Sequence, residues 1–348
     1  MDVTLSALFT DYEKYHRAKA RTHEKADRAF AHLIAFAGDL PAARLGPGRL
    51  NRWSSWLATE APNARTQRKG LRRHTVKTTV GAAAQVFAWA CRQRDVDGRN
   101  DYELTVNPFT LMEPVKVDRR AVRYYTVGEA RDILHAAAEL RWRNDPTKTL
   151  AWYTAILMGL QAGLRKNECT NLRWRDIDLQ AGRISVTHRD DCPGDCWAWS
   201  SKGAHEDTVP MGDELWAALI RLREIRPWTY PIIPKRRLDA LMSRPWPLPE
   251  KVRDNPVWNW SRDFQRIMRT ANRARRERGD EPIRPGDFHT LRKSLGTWLA
   301  ERGVPEHYVQ LALRHQSPDT TRQHYVGVNR RACEQAVRDT VNALSLSS

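Results

Sequence analysis

Apolar residues recur at three- and four-residue spacing through most of this chain, and that periodicity predicts a mainly α-helical fold. The clearest run begins near Thr75. Its apolar positions are Val76, Val80, Ala83, Phe87 and Ala90. Earlier runs within residues 5–9, 29–36 and 50–57 follow the same pattern. Because a helix buries its apolar face against another element, we expect the first third of the chain to be a helical bundle.

A change of pattern divides the chain. Residues 94–122 lose the helical periodicity and carry a glycine and two prolines, which are typical of a connection between domains. Thr126 and Glu129 then form a capping box, which predicts the start of a new helix. The sequence therefore predicts a domain over 1–112, a linker over 113–122 and a second domain over 123–348.

The second domain combines helices with a small sheet. Three segments, 183–187, 197–201 and 207–211, have the composition of short strands. Residues 151–164 are the most apolar stretch, but they fall short of the ~20 residues that cross a bilayer, so they predict a buried helix. The predicted fold class is mainly α with a small antiparallel β-sheet (α+β).

The charge of the chain indicates a polyanionic partner. Lys and Arg number 58 against 41 acidic residues, a net charge of +17, and nucleic acid is the commonest partner of so basic a protein. A basic run precedes the helix near Thr75, where it could grip a phosphate backbone. Its DNA-binding candidates are Arg65, Arg68, Lys69, Arg72, Arg73 and Lys77. The alternative for this run is a solvated basic surface.

Two further features concern the compartment. The N-terminus lacks the basic and apolar regions of a signal peptide. The five cysteines are scattered and odd in number, which fits reduced thiols better than a disulfide scaffold. We therefore expect a cytoplasmic protein, associated with the nucleoid and not with a membrane.

Cleavage of a phosphodiester without a metal needs a nucleophile, cations for the non-bridging oxygens and an acid for the leaving oxygen. Arg165 follows Gly163, a residue that permits close backbone approach. His289 and Arg292 are three residues apart and so share a helix face. Tyr325 lies on a short predicted helix further on. Singly, each has an ordinary alternative: a surface charge, a structural histidine or a core tyrosine.

Together these residues resemble the signature of the tyrosine recombinase (phage integrase) family. That signature is an Arg within G-L-R-x-x-E, a Lys in a β-hairpin, H-x-L-R, and then a His followed by a Tyr. This chain has 163–168 for the first motif, 289–292 for the third, and His315 ten residues before Tyr325. The resemblance implies a helical, SAM-like DNA core-binding domain over 1–112 and an integrase-type catalytic domain over 123–348.

The resemblance also implies a mechanism. Tyr325 attacks the scissile phosphate and forms a 3′-phosphotyrosyl enzyme with a free 5′-hydroxyl. Arg165 and Arg292 hold the non-bridging oxygens, and His289 assists proton removal from Tyr325. Lys202, chosen because it lies between the second and third predicted strands, protonates the leaving 5′-oxygen.

The remaining roles follow from the same resemblance. His315 donates a hydrogen bond to the phosphate, and Glu168 orients the groups around it. Arg314 stands where the family usually has glycine, which puts the geometry of His315 in question. No cofactor or metal is expected, and the implied partners are double-stranded DNA and further copies of the chain, as a tetramer on DNA.

Alternatives remain open at this point. A type IB topoisomerase uses a similar tyrosine and basic cluster, although the H-x-L-R pattern and the separate helical domain favour a site-specific recombinase or integrase of a mobile element. A non-catalytic DNA-binding protein on the same scaffold is disfavoured by the complete set of candidate residues. Cys192 and Cys196 have a spacing found in zinc sites, but His188 and His205 lack the usual paired spacing.

Overall fold

The structure, a computed structural model, divides into two compact units, residues 1–120 and 121–348. The described residues are 3–16, 20–63, 67–117, 123–143, 145–193, 195–200, 206–253, 255–257, 259–314 and 330–343. Each unit has a core of its own.

Four helices form the first unit. They are α1 (Leu5–His16), α2 (Ala20–Ala37), α3 (Pro47–Thr59) and α4 (Arg73–Ala90). Helix α4 contains the run predicted from Thr75, and its apolar positions are buried. Phe87 lies between Phe30 of α2 and Phe109, with ring centroids 6.1 Å and 5.2 Å away. The apolar faces therefore meet as the helical periodicity predicts.

Asn107 fixes the exit of the chain from this bundle. Its Nδ2 donates to the carbonyl oxygen of Ala84 on α4 at 3.0 Å. Its Oδ1 accepts from the backbone N–H of Phe109 at 3.1 Å, which starts a short 3-10 helix at Pro108–Leu111. One side chain thus satisfies backbone groups on both sides of the turn.

The second unit is built mainly from helices. They are α5 (Val127–Glu139), α6 (Lys148–Gln161), α7 (Lys166–Asn171), α8 (Asp213–Ile225), α9 (Lys235–Met242), α10 (Glu250–Arg253), α11 (Trp260–Glu277), α12 (Phe288–Glu301), α13 (Glu306–Ala312) and α14 (Arg330–Ala343). Helix α6 is buried almost throughout, as the apolar stretch predicts. At Gly159, α6 approaches α12 so closely that an added Cβ would lie 3.0 Å from Leu291. The predicted capping box also forms, since Thr126 and Glu129 each accept the other's backbone N–H.

A three-stranded antiparallel sheet accompanies these helices in the described part of the chain. Its strands are β1 (Ile177–Asp178), β2 (Arg183–Val186) and β3 (Asp207–Pro210), in that order. Ile184 pairs with both Ile177 and Val209, so the buried face is continuous. The predicted fold class, mainly α with a small antiparallel sheet, is confirmed.

One strand prediction is wrong in position. The described part of 197–201 forms no strand, and Trp199 makes only an isolated bridge with Arg189. The third strand is β1, two residues long and too short to produce a periodic signal. Trp197 instead stacks its ring on Tyr230, with centroids 4.4 Å apart. Tertiary packing of the indole overrides the strand propensity of this segment.

Helix α14 packs within its own unit. Val337 and Val341 are buried with Leu295, Leu299 and Leu313 in a small separate core. Leu344, which continues the i, i+4, i+7 apolar spacing of Val337 and Val341, lies outside the described residues. Across the described helices, none is both long and apolar enough to traverse a bilayer.

Candidate active site

The loop after α6 places the first arginine. Gly163 has a φ of +59°, the left-handed region in which an L side chain is strained, and this turn lets Leu164 donate its N–H back to Met158. An added Cβ at Gly163 would also lie 3.2 Å from both Leu295 and Leu313. Glycine is therefore required here for backbone and packing reasons, and Arg165 follows at the start of α7.

Glu168 holds Arg165 in two ways. Its Oε1 accepts from Nη1 of Arg165 at 2.7 Å, and its Oε2 accepts from the backbone N–H of Arg165 at 2.8 Å. Only about a quarter of the Arg165 side chain is exposed, at 26%, whereas Glu168 is buried. The carboxylate thus caps α7 and orients the guanidinium at the same time.

Helix α12 contributes the second arginine. Asp287 caps the helix by accepting the backbone N–H of Thr290 at 3.1 Å. Arg292, buried at 1% exposure, donates from Nη1 to the carbonyl oxygen of Gly163. His289, one turn earlier on α12, is exposed. The structure therefore brings Arg165 and Arg292 to the same loop, although the two residues are far apart in sequence.

Arg314, which follows α13, completes a buried charge cluster. Its Nη2 donates to Oε2 of Glu168 at 2.6 Å and lies 3.4 Å from the carbonyl oxygen of Gly163. Its own carbonyl oxygen accepts from Nη2 of Arg165 at 3.2 Å. Sequence reasoning noted Arg314 only as a departure from the family pattern. The only sequence signal for its part in the cluster is a cation where glycine is usual.

Three guanidiniums and one carboxylate form this cluster, and the carboxylate accepts hydrogen bonds from two of them, Arg165 and Arg314. Burial opposes ionisation of Glu168, but Arg314 and Arg165 outweigh it, so the pKa of the carboxyl lies below its ordinary value. Burial, then the cations of Arg314 and Arg165, lower the pKa of Arg292 to about 9. Among the described residues, Nε and Nη2 of Arg292 and Nε and Nη1 of Arg314 have no hydrogen-bond partner. A cluster with surplus cations and unused donors is suited to an anion.

His289 has a proton-accepting character. Desolvation of part of its ring, followed by the cations of Lys293 and Arg292, lowers the pKa of His289 below the usual value of histidine. Asp287 acts in the opposite direction, and Arg165 adds to the lowering. The imidazole is therefore neutral near pH 7 and able to accept a proton.

Four of the predicted residues lie outside the described part of the chain: Arg65, Lys202, His315 and Tyr325. Two of them lie close in sequence to described residues. His315 comes next after Arg314, and Lys202 lies in the segment between Ser200 and β3.

The chain leading towards Lys202 is anchored beneath α7. Nε1 of Trp197 donates to Oδ1 of Asn171 at 2.8 Å, and Nη2 of Arg189 donates to the carbonyl oxygen of Asn171 at 2.8 Å. Arg189 is itself buried and also binds the carbonyl oxygen of Trp197. The members of this anchor have no distinctive spacing in the sequence, so no local motif indicates them.

Cys192, Asp195 and Cys196 are the one cluster of the described residues whose side chains could share a metal ion, with ligand atoms within 4.8 Å of one another. Arg175 competes for two of them. It lies 3.4 Å from Oδ2 of Asp195 and donates to Sγ of Cys196 at 3.5 Å. The cation of Arg175 thus already contacts two of the three possible ligand atoms. Its positive charge opposes the binding of a divalent metal ion there.

The predicted DNA-binding residues that are described all lie at the surface of the first unit. They are Arg68, Lys69, Arg72, Arg73 and Lys77. The second unit has a basic run of its own over residues 269–284, and part of it binds an acidic side chain. Arg275 and Arg278 of this run bind Asp132 of α5 at 2.5 Å and 2.7 Å, which joins α11 to α5.

Two cavities lie away from the charge cluster. Their volumes are about 450 Å³ and about 730 Å³, and both are lined by Leu150, Tyr153 and Arg221. Neither contains a predicted site residue. The arginine cluster is thus the candidate active site because of its charge and its unused hydrogen-bond donors, and not because of cavity size.

Comparison with known proteins agrees with the signature motifs. Residues 124–331 match the phage integrase family. A tyrosine recombinase XerC from Thermodesulfovibrio yellowstonii is 24% identical over 218 residues, which cover 63% of this chain and 62% of that protein. A XerC from Xanthomonas campestris pv. campestris is 25% identical over 224 residues, covering 63% and 58%. The chain spans about six-tenths of the length of these curated relatives.

Solved structures share the fold. A lambda integrase dimer bound to a core site is 17% identical, with a TM-score of 0.57 over 90% of this chain and 96% of that one. The Tn1549 transposon integrase with circular intermediate DNA is 17% identical, with a TM-score of 0.62 over 90% and 92%. A lambda integrase tetramer bound to a Holliday junction is 18% identical, with a TM-score of 0.57 over 91% and 79%.

Proposed function

We propose that this chain, which belongs to the phage integrase family, is a site-specific DNA recombinase that cleaves and rejoins DNA through a 3′-phosphotyrosyl intermediate. We propose further that it serves a mobile genetic element as an integrase. The observation that carries the proposal is the convergence of Arg165 and Arg292 on the loop at Gly163, with Glu168 orienting the first of them.

The chemistry follows from the charge of this cluster. A phosphodiester under attack passes through a pentacoordinate state with two negative charges on its non-bridging oxygens. Preorganised guanidiniums stabilise that state more than the singly charged substrate, and so lower the barrier. Arg292 is buried with unused donors among its described surroundings, which is costly unless an anion binds.

The proton transfers are assigned to the remaining predicted residues. Tyr325 attacks phosphorus while neutral His289 assists removal of its proton. The leaving 5′-oxygen takes a proton from Lys202, and His315 donates a hydrogen bond to the phosphate. Attack by the 5′-hydroxyl of another strand reverses these steps and releases Tyr325, so the bond energy is conserved without a nucleotide cofactor.

The partners proposed are double-stranded DNA and further copies of this chain, as a tetramer on DNA in the cytoplasm. Residues 1–112 would act as the core-binding domain, and 123–348 as the catalytic domain. The basic surface at the start of α4 supports a role of the first domain in phosphate contact, since exposed Arg and Lys neutralise a DNA backbone without reading its sequence.

A suicide-substrate assay tests the proposal. Duplexes that bind the protein would first be selected from a randomised DNA pool. Nicked versions of the selected duplexes would then be tested for a covalent protein–DNA adduct that resists denaturant. We expect adduct with the wild-type chain and with the control Tyr15→Phe, an exposed tyrosine of the first unit, and none with Tyr325→Phe. No wild-type adduct, or an undiminished adduct with Tyr325→Phe, would refute the mechanism.

Strand exchange separates the recombinase from the topoisomerase alternative. Two duplexes of different length that carry the selected site should yield joined products of new lengths. Relaxation of a supercoiled plasmid without any exchanged product would instead indicate a topoisomerase-like enzyme.

A further inference from the structure

Arg314 occupies a backbone conformation that favours glycine. Its φ is +49°, in the left-handed region where an arginine side chain is strained. The resembled family usually has glycine at this place, which matches the conformation. A non-glycine residue persists at such a site when its side chain contributes something that outweighs the strain. The contacts of the guanidinium indicate what that contribution is.

The guanidinium of Arg314 belongs to the same buried cluster as the two arginines proposed to hold the phosphate. It is 8% exposed, and its Nη2 binds Glu168 at 2.6 Å. The same nitrogen is 3.4 Å from the carbonyl oxygen of Gly163, which also accepts from Arg292. Arg314 therefore contacts the groups that hold both Arg165 and Arg292.

Charge compensation explains this arrangement. Without Arg314, Glu168 would have Arg165 as its one hydrogen-bonded cation, and the carboxylate would cancel much of the charge that Arg165 could direct at a phosphate. Arg314 supplies a second cation to the same carboxylate. Asp207, at the start of β3, adds a weaker attraction for Arg292 and Arg314 but follows Glu168 in strength and makes no hydrogen bond to either guanidinium among the described residues.

We propose that Arg314 is a positioning residue that compensates the charge of Glu168, so that the carboxylate cancels less of the positive charge that Arg165 and Arg292 direct at the scissile phosphate. This inference rests on the proposed recombinase function. The effect of the Arg314 cation is largest in the transition state, because the second negative charge on the phosphate develops only there.

The test uses Arg314→Gly, which suits the backbone at this position and removes the guanidinium. Arg314→Lys retains a cation without the planar fork. The control is Arg302→Gly, an exposed arginine directly after α12. Each variant would be assayed for single-turnover cleavage of the selected duplex, for affinity to that duplex, and for thermal unfolding.

Two substrates separate charge from structure. One duplex carries the normal phosphodiester at the cleavage site, and the other carries a methylphosphonate, in which a methyl group replaces one non-bridging oxygen and removes its charge. We expect Arg314→Gly to cleave the phosphodiester at least about tenfold more slowly than wild type, with affinity changed less than about threefold. On the methylphosphonate, the rate difference between Arg314→Gly and wild type should be smaller. The cleavage rate of Arg314→Lys on the phosphodiester should lie between those of wild type and Arg314→Gly.

The pH dependence of the cleavage rate provides a further test, because loss of a purely structural contact would not shift it. Since the cation of Arg314 contributes to the lowered pKa of Arg292, the alkaline limb of the cleavage profile should move to higher pH in Arg314→Gly. Wild-type rates in Arg314→Gly, or equal defects on both substrates with an unmoved limb, would overturn the inference. Absence of adduct in the wild-type chain would instead count against the proposed function.

Discussion

Nη2 of Arg165 donates a hydrogen bond to the carbonyl oxygen of Arg314 at 3.2 Å, across 149 positions of sequence. The contact joins the start of α7 to the residue that directly precedes His315. A displacement of the backbone at Arg314 would therefore break or strain a hydrogen bond that holds Arg165. The proposed phosphate-holding group and the beginning of the segment that carries Tyr325 are linked through main-chain as well as side-chain atoms.

Replacement of Glu168 by Gln should destabilise the second unit. The change leaves the guanidiniums of Arg165 and Arg314 without their shared carboxylate, and removal of one partner from a buried ion pair costs about 3–5 kcal/mol. Urea unfolding would measure the loss, with the exposed Glu277→Gln as the control. A Glu168→Gln protein as stable as the control would contradict the role assigned to this carboxylate.

The same carboxylate makes stability depend on pH. Because the folded pKa of Glu168 lies below its ordinary value, its contribution is present above the unfolded pKa of about 4.3 and is lost as pH falls through the lowered folded value. The acid limb of the unfolding profile should therefore be shallower in Glu168→Gln than in the wild-type chain.

Replacement of Gly163 by Ala should lower both stability and cleavage. The positive φ strains any L side chain, and the new Cβ would lie 3.2 Å from two leucine side chains, so we expect a loss of about 1–3 kcal/mol. Gly128→Ala is the matched control, since its Cβ would enter open space in a helix. If Gly163→Ala unfolds at the same temperature as Gly128→Ala, the turn at Gly163 is not as constrained as its geometry indicates.

Cleavage should follow a bell-shaped pH profile. Arg292 is cationic below its pKa of about 9 and loses its proton as pH rises through that value, so the rate should fall above pH 9. At the acid end, protonation of His289 below its lowered pKa removes the proton acceptor. Single-turnover rates across this range would measure both limbs. A rate that stays constant well above pH 9 would show that Arg292 does not titrate in the working range.

Substitution of Arg72 and Lys77 by Gln should weaken DNA binding without changing sequence preference. Both residues are exposed at the start of α4, and each lost phosphate contact lowers the slope of log affinity against log salt by about 0.9. Titrations at several salt concentrations would measure the slope. The control pair is Arg236→Gln with Lys235→Gln, exposed cations of the second unit outside the basic runs. An unchanged slope in the Arg72 and Lys77 variant would assign these residues to a solvated surface.

The sequence by itself determined several of the helices and the order of the candidate catalytic residues along the chain. The run from Thr75, the buried α6 and the capping box at Thr126 depend on neighbours three or four positions apart, so their signals are local. The family signature was likewise readable as an ordered set of residues. Its match over 124–331 supports the recombinase interpretation.

Only the tertiary structure decided which charges meet. The bond from Arg292 to Gly163 spans 129 positions, and nothing in the local sequence of either residue indicates it. Strand β1 and the use of Trp197 as an anchor were missed for the same reason, because each depends on packing with a distant partner. Arg314 shows the division most clearly: in sequence it is one cation at a glycine position, whereas in the fold it is held to Glu168 by contacts that no local pattern can specify.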